Sequence, residues 1–387
     1  MTTGPLPDLS RHIRPGDGVV IGQACAEPQT LTEALTAQRS AFSGAQLFLG
    51  VNYAGVVRTE HADHLRLSSY CGAGRNRALA DAGVLDIHPH PYSRIASLLR
   101  ERRIPCDVVL VQVSPPNARG EYSMGLAVDY LPSAIAAARA MVAEVNDQVP
   151  WTHTERLLRR EDFALLVESS REPAAPPPAR SGAVESAIAR HAADWIPDGA
   201  TLEFGLGVLP DAVCAGLAGR KGLRIHSGTI GDGVIDLMRQ GVVDAAVCGQ
   251  LIGTHRLFDF ARDNPAIRMR STEYTHDPRV LGGLKRFVAI NSAVEVDLTG
   301  QVNAEVAGGS YLGAVGGALD FIRAANASPG GLSLLLVPAA RIVEALSGPV
   351  STPRSEAGVI VTERGAADLR GCTLNERRRR MRAIAGP

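Results

Sequence analysis

The 387-residue sequence predicts an α/β protein with two similar, open domains whose sheets are mostly parallel. Three observations support this fold class. Continuous apolar segments alternate with segments of helical periodicity, a proline-rich segment divides the chain near its middle, and the two halves begin with the same pattern. Alternating strands and helices form open parallel sheets, and ligands bind at the carboxyl ends of their strands.

Local patterns predict several of the strands and helices. Residues 107–113 and 332–337 are nearly continuous apolar runs rich in Val and Leu. Such runs are typical of parallel strands, because helices cover both faces of the sheet. Helical periodicity predicts helices at residues 133–144 and 233–240. These elements alternate along the chain as βα units do.

A proline-rich segment predicts the domain boundary. Residues 169–182 are polar and contain a Pro-Pro-Pro run. Segments of this composition stay extended and connect domains. We therefore predict a first domain at residues 1–172, a linker at 173–182 and a second domain at 183–387.

The two predicted domains begin alike. Residues 13–35 and 196–217 each contain a Pro and Gly turn, an apolar run that ends at a glycine (Gly22 or Gly205), and a helical segment entered near a proline. Each therefore reads as one βα unit. Two interpretations stay open here. Any two βα units share these features, or an internal duplication has produced two related domains.

Composition and charge exclude several classes of partner. Forty acidic residues balance forty basic ones, so no net charge attracts the protein to nucleic acid or to a membrane. The first residues lack the apolar core of a signal peptide, and no apolar run is long enough to span a bilayer. The cysteines lie far apart without a Cys-x-x-Cys pair, which predicts reduced thiols and a cytoplasmic protein. They are Cys25, Cys71, Cys106, Cys214, Cys248 and Cys372.

Two histidine pairs have spacings that resemble metal sites. His61 and His64 are three residues apart, and His88 and His90 are two apart. Neither pair has thiol or carboxylate companions at suitable separations. We therefore expect no metal site.

Seven segments spread through the chain resemble the sequence motifs of one protein family. They lie at residues 13–35, 107–125, 144–146, 204–213, 289–305, 313–321 and 361–371. On these segments the chain resembles the acetyl-CoA hydrolase/transferase family, and among its members the 4-hydroxybutyrate CoA-transferases. The resemblance implies a CoA-transferase fold, an acyl-CoA substrate, a small-molecule acceptor and a homodimer. Family members move CoA from a thioester to a carboxylic acid or hydrolyse the thioester. The transferases use a glutamate nucleophile and pass through an acyl anhydride and a glutamyl-CoA thioester.

The resemblance also implies which residues contact CoA. All of them lie in the second domain: Gly205, Leu206, Gly207, Val208, Asn303, Gly313, Gly316 and Gly317. Glycines let the backbone approach a bound group, and free N–H groups can face a phosphate or an oxyanion. Tight turns are the alternative role of the glycine segments. For the asparagine, a turn or capping role is the alternative to a contact with the pantetheine amides.

One catalytic position departs from the family pattern. Family transferases carry their glutamate in a His-Ser-Glu triplet, and the matching residues here are His226, Ser227 and Gly228. Glycine offers no carboxylate, so the usual anhydride cannot form. His226 is either a general base or part of the packing. A direct pair between His226 and Ser227 is disfavoured, because neighbours on a strand face opposite ways.

These observations predict an acyl-CoA-dependent enzyme that works without a glutamyl-CoA intermediate. Attack by water would make it a thioesterase, and attack by another nucleophile an acyltransferase or a cyclase. Two alternatives stay open. A conventional CoA-transferase could use a relocated carboxylate, such as Glu203, Glu273 or Glu305. The chain could also be a catalytically silent CoA-binding subunit.

Overall fold

A computed structural model of the chain describes residues 6–177 and 181–386. These residues form two compact units. The first contains the described residues up to Pro177 together with Gly249–Glu273, and the second contains the described residues of Pro178–Cys248 and Tyr274–Pro387. The linear division predicted from the sequence does not include the segment Gly249–Glu273 in the first unit. Residues 178–180 of the predicted linker lie outside the described residues.

The first unit is built on an open parallel sheet. The elements before residue 177 are β1 Gly18–Ile21, α1 Gln29–Ala37, β2 Gln46–Leu49, β3 Arg66–Ser69, α2 Asn76–Asp81, β4 Leu85–Ile87, α3 Tyr92–Arg100, β5 Val108–Val113, α4 Leu131–Ala137, β6 Ala140–Asn146, β7 His153–Thr154 and β8 Leu165–Ser169. The main sheet has the order β4-β3-β2-β1-β5-β6-β8, and every pair in it is parallel. Its central strands β1 and β5 are buried along their whole length.

The remaining elements follow the proline-rich segment. They are α5 Ala183–Ala193, β9 Thr201–Phe204, α6 Val208–Ala215, β10 Leu223–Ile230, α7 Gly233–Arg239, β11 Val243–Leu251, α8 His255–Ala261, β12 Ile267–Met269, α9 Thr272–Thr275, α10 Pro278–Leu281, β13 Phe287–Ser292, β14 Glu295–Asp297, β15 Val302–Asn303, β16 Val306–Ala307, β17 Ser310–Tyr311, α11 Ala318–Ala327, β18 Leu332–Leu336, β19 Ile342–Val343, β20 Val359–Thr362, β21 Gly365–Asp368 and α12 Leu374–Ile384. Strand β12 belongs to the first unit, where it pairs in parallel with β7.

The second unit contains a second, mostly parallel sheet. Its neighbouring strands follow the order β21-β20-β18-β13-β9-β10-β11. The pairs β20-β18, β18-β13, β13-β9 and β9-β10 are parallel, and the edge pair β20-β21 is antiparallel. The predicted α/β class with two open, mostly parallel sheets is therefore confirmed. In the described residues, no helix is both long and apolar enough to cross a bilayer.

The first strands of the two units hold the same place in their sheets. β1 lies between two parallel neighbours, β2 and β5, and a short loop leads from it to α1. β9 likewise lies between β10 and β13, and leads into α6. The two βα units predicted from the similar openings are both present.

One of the two predicted helices is wrong over half its length. The helix predicted at residues 133–144 ends at Ala137, and the strand β6 begins at Ala140. Ala is a good helix former, so local propensity favours continuation. The apolar residues Met141, Val142 and Ala143 instead fill a buried strand position between β5 and β8. The other predicted helix is confirmed as α7, Gly233–Arg239.

Candidate active site

Gly228 lies near the end of β10, in the second unit. Its backbone is extended and is not in the left-handed region that favours glycine. A Cβ built at this position would lie 3.4 Å from His276 Cε1, 3.7 Å from His276 Nε2 and 3.8 Å from Phe321 Cε2. These are ordinary van der Waals distances, so a Cβ would fit. We call the volume that such a side chain would enter the position-228 space; His276 and Phe321 bound it.

His226 is buried on β10 and makes a defined hydrogen bond. Its Nε2 lies 2.9 Å from the carbonyl oxygen of Thr275. A carbonyl only accepts, so Nε2 carries the proton. Burial lowers the pKa of the imidazole, which favours the neutral form. This geometry favours the packing role for His226 that the sequence left open beside the general-base role.

Ser227 faces the other side of the strand. Its Oγ donates to the Phe204 carbonyl at 3.1 Å and accepts from the backbone N–H groups of Phe204 and Thr229. The side chain is fully buried. The hydroxyl therefore joins β10 to the end of β9, and the structure does not pair it with His226.

His276 is a site residue that the sequence reasoning missed. It lies between α9 and α10, its side chain is 3% exposed, and its ring packs on Phe321 with 4.4 Å between the centroids. Its Nδ1 is 2.9 Å from Thr275 Oγ1. Burial, and to a smaller extent His226, lower its pKa to about 3. The imidazole is therefore neutral at neutral pH. No sequence motif marks this residue, because only folding brings it to Gly228.

The predicted CoA loop joins β9 to α6. The Gly205 N–H donates to the Ile290 carbonyl at 2.8 Å, and a Cβ at this glycine would lie only 2.6 Å from Asn291 Oδ1. Gly207 has φ +125° and ψ 177°, a conformation open essentially to glycine alone. Leu206 is exposed, and Val208 begins the helix. Both glycines thus serve the loop's shape, and Leu206 between them lies at the surface.

The second glycine segment reaches the position-228 space. Gly313 packs so closely that a Cβ would lie 1.9 Å from the Ala304 carbonyl oxygen. Gly316 has φ +60°. Gly317 directly precedes α11, and a Cβ there would lie 2.4 Å from His276 Nε2. The structure therefore brings Gly317 and Gly228 to the same imidazole.

The side-chain amide of Asn303 makes four hydrogen bonds within the chain. Its Nδ2 donates to Glu295 Oε1 and to the Val306 carbonyl, and its Oδ1 accepts from the backbone N–H groups of Glu305 and Val306. The side chain has no exposed surface. These contacts favour the turn role that the sequence left as the alternative to a contact with CoA.

The three glutamates of the relocated-carboxylate alternative are each engaged within their own unit. Glu203 is buried and accepts from Asn291 Nδ2 at 2.7 Å, and burial raises its pKa to about 8. A carboxyl group with that pKa is mostly protonated at neutral pH and is a poor nucleophile. Glu305 accepts from the hydroxyls of Tyr311 and Ser351. Glu273, in the first unit, accepts from Ser133 Oγ and pairs with Arg100.

The part of the chain that the structure describes contains no candidate metal site. Among residues 6–177 and 181–386, no three His, Cys, Asp or Glu side chains converge as a metal site requires. His61, from one of the two spaced pairs, is buried, and its Nδ1 accepts the Arg58 N–H at 3.1 Å. That histidine has a structural contact.

Comparison with known proteins identifies the class of this protein as an acyl-CoA transferase or hydrolase-like enzyme. The acetyl-CoA hydrolase/transferase N-terminal domain matches residues 7–161, and the C-terminal domain of the same family matches residues 253–387. The chain belongs to the acetyl-CoA hydrolase/transferase family.

Similar proteins agree with this assignment. The 4-hydroxybutyrate coenzyme A transferase of Clostridium kluyveri is 36% identical, over 95% of this chain and 91% of that protein. The structure of RipA from Yersinia pestis superposes with a TM-score of 0.93 at 30% identity, covering 98% of this chain and 92% of that chain. A 4-hydroxybutyrate CoA-transferase from Porphyromonas gingivalis has a TM-score of 0.82 at 31% identity, with the same coverage. Further relatives are CoA transferases and acetyl-CoA hydrolases.

Proposed function

We propose that this protein releases or transfers the acyl group of a CoA thioester by direct attack of an acceptor, without a glutamyl-CoA intermediate. The observation that carries the proposal is Gly228. Family resemblance implies a nucleophilic glutamate at this position, and the residue here has no side chain. The position-228 space is instead bounded by a neutral imidazole and a phenyl ring.

The environments of Glu203 and Glu305 support the same proposal. Glu203 is a buried acid with a raised pKa, and Glu305 is held by two hydroxyl donors. The three atoms nearest to a Cβ built at Gly228 belong to the rings of His276 and Phe321. A conventional transfer would need a carboxylate to leave such contacts and reach the thioester.

Direct attack of the acceptor requires no acyl group covalently bound to the enzyme. The acceptor's lone pair forms a bond to the thioester carbon, the carbon–sulfur bond breaks, and the CoA thiolate takes up the proton that the acceptor loses. Water yields a carboxylic acid, an alcohol or amine yields an ester or amide, and a carbanion within the acyl chain yields a ring. The space left by the missing carboxylate suits a bulkier acyl group or a second substrate.

The partners in this proposal are an acyl-CoA and a small-molecule acceptor. The loops at Gly205–Val208 and Gly313–Gly317 would hold CoA by close backbone approach and through backbone N–H groups other than those of Gly205 and Gly313, which donate to the Ile290 and Glu305 carbonyls. We also propose a cytoplasmic homodimer that uses no metal and binds neither nucleic acid nor a membrane. The family resemblance supports the dimer, and the balanced charge supports the absence of polyanionic partners.

The proposal is tested by offering the protein a panel of acyl-CoAs, each with and without candidate acceptors. Free CoA is measured with a thiol reagent, and the products are identified by mass. We expect at least one acyl-CoA to be consumed, with the acyl group recovered on water, on an added acceptor or in a cyclised product. Tight binding of CoA with no consumption of any thioester would instead support the silent-subunit alternative.

A further inference from the structure

A cavity of about 750 Å³ lies on the first unit. It is lined by residues of three segments, at 115–119 after β5, at 149–157 around β7, and at 262–268 before and within β12. All three segments belong to the first unit. The volume falls in the range of small-molecule sites, about 300–1,000 Å³. We call this volume the first-unit cavity.

Arg268 lines the first-unit cavity and supplies an uncompensated positive charge. It lies in the middle of β12, in parallel register with His153 of β7, so both side chains extend from the same face of the two strands. Within residues 6–177 and 181–386, its guanidinium makes no hydrogen bond and no ion pair. An exposed arginine alone would be ordinary, but this one borders a cavity. Its five N–H donors are available to a ligand that enters there.

Two further arginines line the cavity, and each already has a carboxylate partner. Arg119 Nε lies 3.1 Å from Glu121 Oε2, and an Arg262 nitrogen lies 3.9 Å from Asp259 Oδ1. The second distance is too long for a hydrogen bond. These two cations add to the positive potential of the cavity, while Arg268 keeps all of its donors for a ligand.

Asp263 is the acidic residue of the lining. Its φ is +48°, in the left-handed region, and its N–H donates to the Trp151 carbonyl at 2.8 Å. Its Oδ1 lies 3.2 Å from His153 Nε2, a close contact without hydrogen-bond geometry. The carboxylate opposes an anion, but the three arginines outnumber it. The residues that line the cavity therefore carry a net positive charge.

Trp151 provides a rigid aromatic wall. Its Nε1–H donates to the Glu121 carbonyl at 3.4 Å, and its ring stands perpendicular to that of His153, with 5.3 Å between the centroids. Pro115 and Pro116 line the same cavity. Such side chains have few rotatable bonds, so little side-chain entropy is lost when a ligand packs on them. The wall favours a ligand with a flat apolar body, which can contact the indole edge-on or in offset stacking.

We propose that the first-unit cavity binds a small organic anion, whose flat apolar body packs on Trp151 and whose carboxylate or phosphate group pairs with Arg268. A guanidinium fork matches either group with two parallel hydrogen bonds. An inorganic anion would leave the apolar wall in water, and a neutral ring would leave the charge of Arg268 unmatched. This site goes beyond the proposed function and does not depend on it, because the first unit alone forms the cavity and no thioester is needed.

Calorimetry on the full chain tests the site with benzoate and phenyl phosphate, which share a ring and differ in the oxyanion. We expect saturable binding of at least one of them, and the tighter of the two identifies the charged group that the site prefers. Benzyl alcohol has a ring without a charge, whereas acetate and inorganic phosphate have a charge without a ring. Each of these three should bind weaker by about tenfold or more.

Arg268→Met keeps the length of the side chain and removes its charge. Hydrogen bonds to charged groups contribute enough that affinity for the tighter ring-bearing anion should fall about ten- to hundredfold. Arg268→Lys keeps the charge without the fork and should lose less. Arg66→Met is the matched control. Arg66 is also an exposed arginine on a strand of the first unit, and it lies outside the cavity, so affinity should stay at the native value.

The fluorescence of Trp151 locates the bound anion. The chain has two tryptophans, so Trp195→Phe leaves Trp151 as the single indole. Titration of this variant with the tighter anion should change the tryptophan emission, with the midpoint that calorimetry gives.

Four results would overturn the proposal. They are no binding of either ring-bearing anion to the native protein, equal affinities in folded Arg268→Met and Arg66→Met, an unchanged Trp151 emission at saturation, and displacement of the anion by CoA with native affinity in Arg268→Met. The last would place the anion in the CoA site. Failure of the proposed function is a separate observation, because it appears as the absence of acyl-CoA consumption or as covalently bound CoA.

Discussion

Gly228→Glu is expected to convert the protein into one that CoA modifies covalently. β10 holds position 228 in extended geometry, so glutamate meets no left-handed strain. Its Cβ would sit at ordinary contact distances from His276 and Phe321. The carboxylate would then occupy the position-228 space and attack a bound thioester, forming the anhydride and the glutamyl-CoA thioester that the family transferases use.

The new activity should be detectable but slow. Catalytic groups must lie within about 0.5 Å of their productive position, and nothing around Gly228 has been arranged to hold a carboxylate. Intact-mass spectra after treatment with acyl-CoA should show a CoA-sized gain that maps to position 228, and CoA transfer to acetate should appear above the native level. Native turnover should fall, because the side chain fills space that the substrate uses.

Gly228→Gln is the matched control for this variant. It has the same size and no nucleophilic carboxylate, so it should lose native turnover without gaining the adduct. A Gly228→Glu protein that folds, binds acyl-CoA, forms no adduct and keeps full native turnover would place position 228 outside the active site. The match of His226, Ser227 and Gly228 to the catalytic triplet would then be wrong.

Gly207→Val is expected to cost most of the affinity for CoA. The Cβ itself meets only open space, since its nearest neighbour is Ser292 Oγ at 3.9 Å. The cost comes from the backbone, because φ +125° with ψ 177° is closed to a β-branched residue. A residue forced into such a region is strained by about 1–3 kcal/mol. The loop relieves this strain by moving, and the backbone N–H groups that would face CoA move with it.

Calorimetry with CoA measures this effect. If the free energy of binding falls by an amount similar to the strain, affinity drops roughly ten- to hundredfold. Gly219→Val is the control: this glycine lies in the exposed turn after α6, has no positive φ, and would place its Cβ in open space. Equal CoA affinity in the native protein and in a folded Gly207→Val variant would show that the β9-α6 loop is not the CoA loop.

Strands β5 and β18 could be predicted from local sequence because each is buried along its whole length. The runs Val108–Val113 and Leu332–Leu336 are apolar except for Gln112 and Ser333, and both are buried strands. The same logic fails at Ala140–Asn146, whose start continues an alanine-rich helical pattern. There the choice between helix and strand is made by the neighbours β5 and β8, which no local window contains.

The site was only partly predictable for a similar reason. Gly228 could be found because it interrupts a recognisable triplet. His276 could not be found in this way, because only the folded chain brings its ring next to Gly228 and Gly317. Asn303 illustrates the opposite case. Its motif suggested a ligand contact, and its four hydrogen bonds within the chain show how completely a turn can occupy an amide.

The covalent state of the native protein during turnover tests the central claim most directly. The protein is mixed with the acyl-CoA that it consumes, quenched at intervals and measured by intact-mass spectrometry, with Gly228→Glu as the positive control. Direct attack predicts an unmodified mass at every interval while free CoA accumulates. A CoA-sized gain that maps to Glu203, Glu273 or Glu305 would contradict the account and establish a conventional CoA-transferase with a relocated nucleophile.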